Sequence, residues 1–212
     1  MILETRAVEP FFKNGYVLGC EDTRAGILID PGDEVDQLLE AIEGQQLEMR
    51  YILLTHAHLD HITGVARAKQ VWDVPVGLHY ADNFLYTAVV QQGRMFGLEV
   101  DEQPPVDFFY EGEGPLRFGK YSVRIRHTPG HCPGGVCLAV AREGAQAHAL
   151  FVGDTLFEGS IGRTDLPGGD IDTLLRSIRN VLFAYPDETV VYSGHGNPTT
   201  IGREKRTNPF LV

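Results

Sequence analysis

The chain has no pair of cysteines at metal-clip spacing. Cys20, Cys132 and Cys137 are scattered and odd in number, which argues against both a CxxC metal site and a disulfide framework. Cys20 and Cys137 are expected to pack as small apolar side chains. No segment approaches the ~18 consecutive apolar residues of a membrane span. The start, Met1-Ile2-Leu3-Glu4-Thr5-Arg6, lacks the basic region, apolar stretch and small-residue cleavage site of a secretory leader. A soluble, cytoplasmic protein with no membrane partner is expected. Positive charge is also scarce: 18 Lys and Arg against 29 Asp and Glu give a formal net charge of −11. That balance opposes attraction to polyanions and speaks against nucleic acid as a partner.

What the chain does have is ordinary globular material and one unusual cluster. With 212 residues, 43% hydrophobic and 22% charged, it is long enough for one domain with a real core. Behind the apolar run Tyr51-Ile52-Leu53-Leu54 stands Thr55-His56-Ala57-His58-Leu59-Asp60-His61, three imidazoles and a carboxylate in seven residues. Any one of these histidines alone reads as a polar loop residue. Together they would repel one another as cations, whereas as neutral rings they offer lone pairs suited to zinc, iron or manganese.

Along the chain, apolar runs at 2–8, 16–20 and 25–29 read as strands separated by turn residues. Asp30-Pro31-Gly32 stops the third; Asp30 is either a turn former or a support for metal ligands. Residues 33–42 have helical spacing with acids at the start. Residues 51–54 form a strand and 65–72 a helix, so the histidine cluster sits on a loop between two rigid elements. A strand at 74–78 and a helix at 82–92 follow. Residues 93–114, with Pro104-Pro105 and several acids, read as a connection lining a substrate cleft. Strands are expected at 116–118, 121–127, 136–141, 147–152 and 189–192, and a helix at 170–183. Two groups of strands, each followed by helices, suit two packed sheets with helices outside, a layered α/β fold.

Three further metal-capable residues each follow a predicted strand and are flanked by glycine: His131, Asp154 and His195. Glycine lets the backbone take unusual dihedrals and aim a ligand at a site. Strand-end loops gathered at one rim would make one centre. His79, His127 and His148 are expected to be structural or exposed, with His127 the nearest to the cleft.

THAHLDH, HTPGHCPGG at 127–135, GDTLF at 153–157 and SGHG at 193–196 resemble, in that order, the metallo-β-lactamase superfamily. GSIGRTDLP at 159–167 and TIGREKRTNPF at 200–210 are similar to its short glyoxalase II-like (hydroxyacylglutathione hydrolase-like) members. The resemblance implies a four-layered αββα sandwich as a single domain over 1–212, without the C-terminal helical domain of full-length glyoxalase II. It implies that His56, His58 and His131 hold one divalent ion, that Asp60, His61 and His195 hold a second, and that Asp154 bridges them. Two such ions, zinc or else iron or manganese, lower the pKa of a shared water towards neutrality and so supply a bridging hydroxide. The implied reaction is hydrolysis of S-2-hydroxyacylglutathione, such as S-D-lactoylglutathione, with Asp60 also orienting the nucleophile. A thiolate leaves without a dedicated acid, because a thiol pKa of about 8.5 is already low. Arg163, Lys205 and Arg206 are the basic residues available to substrate carboxylates. Cys132 departs from the Ser or Thr usual in the family, and either tunes the neighbouring metal or is a packing replacement. Alternatives on the same residues are a persulfide dioxygenase, with one iron on His56 or His58, His131 and Asp154, a lactonase or β-lactamase, and a non-catalytic metal-binding protein. The sequence leaves the oligomeric state open.

Overall fold

A computed structural model describes residues 1–110 and 114–212. The described residues fall into two compact units, Met1–Tyr110 with Phe118–Lys120, and 114–117 with Tyr121–Val212. Residues 111–113, the end of the expected 93–114 connection, lie outside the described residues.

The first unit is built on strands β1 (Ile2–Arg6), β2 (Gly15–Gly19), β3 (Ala25–Ile29), β4 (Glu48–Leu53), β5 (Val76–Leu78) and β6 (Phe108–Phe109), which form one six-stranded sheet in that order. The first three are antiparallel, and β3 to β6 run parallel. Every residue of β2 and β3 is buried, which is why both read as continuous apolar runs. Helix α1 (Val35–Gly44) buries Val35, Leu38, Leu39 and Ile42, one face at helical spacing, and packs on β1 and β2. The parallel strands end at one edge, where Ile29 is in register with Leu53, so the chain emerges side by side at Asp30 and Leu54. Helices α2 (Leu59–Ile62) and α3 (Val65–Val71) follow from that edge.

The helix expected at 82–92 is broken. A 3-10 turn at Tyr80–Asp82 leads into α4 (Asn83–Thr87) and then α5 (Val89–Met95), with the break at Ala88. At the break the Leu85 carbonyl accepts the Ala88 N–H at 3.0 Å and the Gln92 side-chain amide at 2.9 Å. The first of these is a 3-10 bond that tightens the turn and ends α4. Within the expected connection, Phe108–Phe109 pairs with β5 as the edge strand β6.

The second sheet is formed by β7 (Leu116–Phe118), β8 (Tyr121–His127), β9 (Val136–Arg142), β10 (Ala149–Gly153), β13 (Val190–Ser193) and β14 (Thr199–Thr200), with a separate ribbon of β11 (Leu156–Phe157) and β12 (Ser160–Ile161). The six-stranded sheet has the order β14-β13-β10-β9-β8-β7, with β10 and β13 parallel. Helix α6 (Ile171–Asn180) starts at Asp170, whose carboxylate accepts the Thr173 N–H at 2.8 Å, and gives way to a 3-10 turn at Leu182–Ala184. Helix α7 (Ile201–Thr207) is capped in the same way by Thr200. The core joins Cys137, Leu150, Val152 and Val191 of the sheet to Leu174, Ile178, Leu182 and Ile201 of the helical side. Cys137 packs there as expected, and burial pushes its thiol well above the ordinary range. No helix among the described residues is long and apolar enough to cross a membrane.

Candidate metal centre

In the first unit the ligand turn begins where β4 ends. The Tyr110 hydroxyl accepts the Leu54 N–H at 3.0 Å and donates to the Gly77 carbonyl at 2.8 Å, fixing the strand end. The next residue, Thr55, is held by Asp30: its N–H donates to Oδ1 at 2.7 Å and its hydroxyl to Oδ2 at 2.6 Å. The same Oδ2 accepts from His61 Nδ1 at 3.0 Å. A hydroxyl has one proton, and Thr55 gives it to Asp30. Towards His56 Nδ1, 3.1 Å away, the Thr55 oxygen is therefore the acceptor. Both His56 and His61 thus carry their proton on Nδ1 and present Nε2 as a lone pair, the tautomer a metal ligand needs. Asp30 thus does more than form a turn: one carboxylate holds both Thr55 and the His61 ring. Its backbone takes a positive φ of 48°, which turns the chain out of β3 at this point.

The three rings are close, with centroids 4.0 Å apart for His56 and His61 and 4.9 Å for His56 and His58. The Asp60 carboxylate lies 3.8 Å from His61 Nε2. The turn is pinned from α5 by Gln92, which accepts the Leu59 N–H and donates to the Ala57 carbonyl, both at 3.0 Å. Asp82, fully buried, accepts the Ala57 N–H at 3.2 Å. Behind Asp30, Lys13 donates to the Asp30 carbonyl and to Glu34 Oε1, which also accepts the Gly32 N–H at 2.9 Å. Lys13 and Glu34 are each 2% exposed. A Cβ on Gly32 would lie 2.0 Å from the Asp60 carbonyl oxygen, so glycine lets this loop back directly onto the ligand turn.

In the second unit His131 Nδ1–H donates to the Arg163 carbonyl at 2.8 Å, again leaving Nε2 as the lone pair. Asp154 Oδ2 lies 3.8 Å from His131 Nε2 and 3.6 Å from His195 Nε2. These separations are too long for hydrogen bonds and suit donor atoms placed ~2 Å from a common ion. The Gly194 N–H donates to the Gly153 carbonyl at 2.8 Å, tying the His195 loop to the Asp154 loop. At Gly162 a Cβ would meet the Asp154 carbonyl oxygen at 1.9 Å, so this glycine lets the backbone before Arg163 lie against both Asp154 and His131. Imidazole nitrogens of fixed tautomer and carboxylate oxygens form a donor set that fits zinc, iron or manganese.

The basic residues singled out from the sequence are engaged with carboxylates. Arg163 is exposed and forks onto Asp165 with two bonds of 2.7 Å, which raises its own pKa and holds Asp165 down to about 2. It meets His131 through its carbonyl. Lys205 and Arg206 both reach Asp187, at 3.0 and 3.1 Å. Asp187 precedes β13 and His195 follows it, so the two lie at opposite ends of a four-residue strand roughly 13 Å long.

His127 is exposed and bonds the Pro133 carbonyl at 2.8 Å, His79 caps the 3-10 turn by accepting from the Ala81 N–H, and His148 lies near the Tyr121 ring. Cys132 is wholly buried. Sequence reading passed over Lys13, Glu34, Asp82, Gln92 and Tyr110. Only Lys13 gave a signal, a cation between Phe11-Phe12 and the apolar strand β2; the others look like surface polar residues until folded.

The metallo-beta-lactamase superfamily model matches residues 8–195. The hydroxyacylglutathione hydrolase GloC of Haemophilus influenzae is 39% identical over 202 residues, covering 94% of this chain and 93% of GloC. Among solved structures, the B3 metallo-β-lactamase BLEG-1 is similar at a TM-score of 0.89 and 37% identity, with 100% of both chains covered. TTHA1623, solved in a di-iron-bound form, is similar at a TM-score of 0.86 and 40% identity over 98% of this chain and 100% of that one.

Proposed function

The chain belongs to the metallo-β-lactamase superfamily and has its fold, and from that premise we propose that it is a cytoplasmic metallo-hydrolase of the glyoxalase II type. Its substrate in this reading is S-2-hydroxyacylglutathione, such as S-D-lactoylglutathione. The two units form one domain, in which His56, His58 and His131 hold one divalent ion and Asp60, His61 and His195 hold a second. Asp154 serves both. The observation that carries this assignment is the placing of Asp154 Oδ2 between His131 Nε2 and His195 Nε2, one ligand from each set. GloC, a hydroxyacylglutathione hydrolase by name, supports the substrate class. Zinc is the ion proposed; a nitrogen and oxygen donor set of this kind also accepts iron, and TTHA1623 was solved in a di-iron-bound form.

A pair of divalent ions supplies an ionised water near neutral pH and polarises a bound carbonyl. The protein's own part is positioning. Asp30 sets the proton of His61 directly and that of His56 through Thr55. The Arg163 carbonyl does the same for His131. Asp60 would help hold an ion and, through its carboxylate, would orient the attacking water. The exposed Arg163 guanidinium exchanges Asp165 for a substrate carboxylate. The departing thiol, with a pKa of about 8.5, needs no acid.

The test is metal quantification on the purified protein, together with S-D-lactoylglutathione hydrolysis and oxygen uptake on glutathione persulfide. Two metal equivalents and thioester hydrolysis are expected, with Asp154→Asn retaining at most one equivalent. A single iron with oxygen uptake and no hydrolysis would overturn the reading in favour of a persulfide dioxygenase.

A further inference from the structure

The helical side of the second unit covers only part of its sheet. α6 and α7 pack over β10 and β13. Towards β8 the cover stops, and an open groove of about 850 Å³ lies above β8 and β9, beside the turn at 183–187. Along β8, Tyr121 and Val123 are buried, while Ser122, Arg124 and Arg126 line the groove. Across the ladder these three pair with Ala141, Ala139 and Cys137.

A helix packed on this face would demand apolar side chains, and β8 presents guanidinium groups instead. Arg117, Arg142 and Lys205 also line the groove, against two acids among the described residues, Glu143 and Asp187. The described lining thus carries five cations and two anions, a balance of +3, in a chain of net charge −11. Both acids are already engaged, Glu143 by Arg117 at 2.9 Å and Asp187 by Lys205 at 3.0 Å. The Arg124 side chain is exposed and makes no ion pair or hydrogen bond among the described residues. Arg126 Nε donates to the Tyr185 hydroxyl at 3.4 Å.

The floor has the opposite character. Ala139, Ala141 and Ala147 raise nothing beyond a methyl group, and Phe183 and Pro186 stand beside them. The volume far exceeds a bare phosphate and falls within the ~300–1,000 Å³ of small-ligand sites. Guanidinium forks match phosphate oxygens, and a flat apolar floor takes a ring. We propose that this groove binds a nucleoside di- or triphosphate, with its phosphates on Arg124 and Arg126 and its base on the alanine floor. The groove is separate from the metal ligands of its unit. It borders Ala147 and Asp187, which precede β10 and β13, whereas Asp154 and His195 follow those strands.

The test is equilibrium binding of ADP, pyrophosphate and adenosine to the metal-loaded protein. ADP should bind more tightly than either fragment and should weaken as salt rises. Arg124→Glu and the double variant R124A/R126A should each weaken ADP by at least about tenfold, with melting temperature and thioester hydrolysis unchanged. Arg124→Glu alters one exposed side chain and serves should the double variant fold poorly. ADP affinity untouched by Arg124→Glu would place the nucleotide at the metal ions and overturn the proposal. So would the absence of saturable binding at millimolar ADP, or binding of a polyglutamate peptide to the same arginines without ADP binding.

Discussion

Lys13→Met tests whether the loop behind the ligand turn is held by a buried charge pair. Both partners are 2% exposed, and the Glu34 oxygen lies 2.5 Å from the ammonium. Methionine fills the same space and leaves the Glu34 carboxylate, among the described residues, with the Gly32 N–H, its 2.9 Å partner. Stranding one charge of a buried pair costs about 3–5 kcal/mol, a large share of the roughly 5–15 kcal/mol by which domains are stable. For a chain of this size that is a drop of roughly 6–20 °C in melting temperature. The companion variant is K13M/E34Q. Glutamine removes the stranded charge and can still accept from Gly32, so the double variant should recover about 2 kcal/mol relative to Lys13→Met alone. The assay is urea unfolding with chelator present, so that metal affinity does not enter the measured stability. A loss below about 1 kcal/mol for Lys13→Met, or a double variant no more stable than the single one, would refute the reasoning.

Two further outcomes follow from other contacts. Asp30→Asn removes the carboxylate that sets the protons of His56 and His61, and should weaken metal binding by about 10–100-fold in a chelator competition, with Thr55→Val showing a smaller loss confined to His56. Asp107 gives a pH signature: burial alone would raise its pKa, but the Lys69 ammonium at 2.7 Å and the Val76 N–H at 2.8 Å outweigh that and hold it below the ordinary 3.8. Its contribution is therefore complete above that value and lost as pH falls through the lower folded value. The gap in urea midpoint between the protein and Asp107→Asn should be steady at neutral pH and narrow below 3.8. A gap that widens on acidification would contradict it.

The parts of the fold visible in the sequence were those with a long period. Val35, Leu38, Leu39 and Ile42 announce α1, and the wholly buried β3 announces itself as an apolar run. The pieces that were not visible are short: β6, β11, β12 and β14 have two residues each, too few for any alternation to register. The break at Ala88 was hidden because it involves a side-chain amide seven residues from the carbonyl it reaches. At the site, the proposed ligands stood out because histidine clusters are chemically unusual. Their supports did not, since Gln92 and Tyr110 act on the turn from 35 and 56 residues away, and only folding brings them there. Arg163 shows a third kind of loss. Its side chain drew notice, yet the atom that meets His131 is a carbonyl oxygen that any residue could supply.

Asp30 Oδ2 is the reference point for two imidazoles at once, His61 by direct contact and His56 through one hydroxyl. A displacement of the loop after β3 therefore moves the two rings as a pair, and the error is common to both. The spacing between their nitrogens is insulated from such drift, although their absolute position is not. Two independent carboxylates would have let each ring wander separately and turned the same loop motion into a change of bite angle.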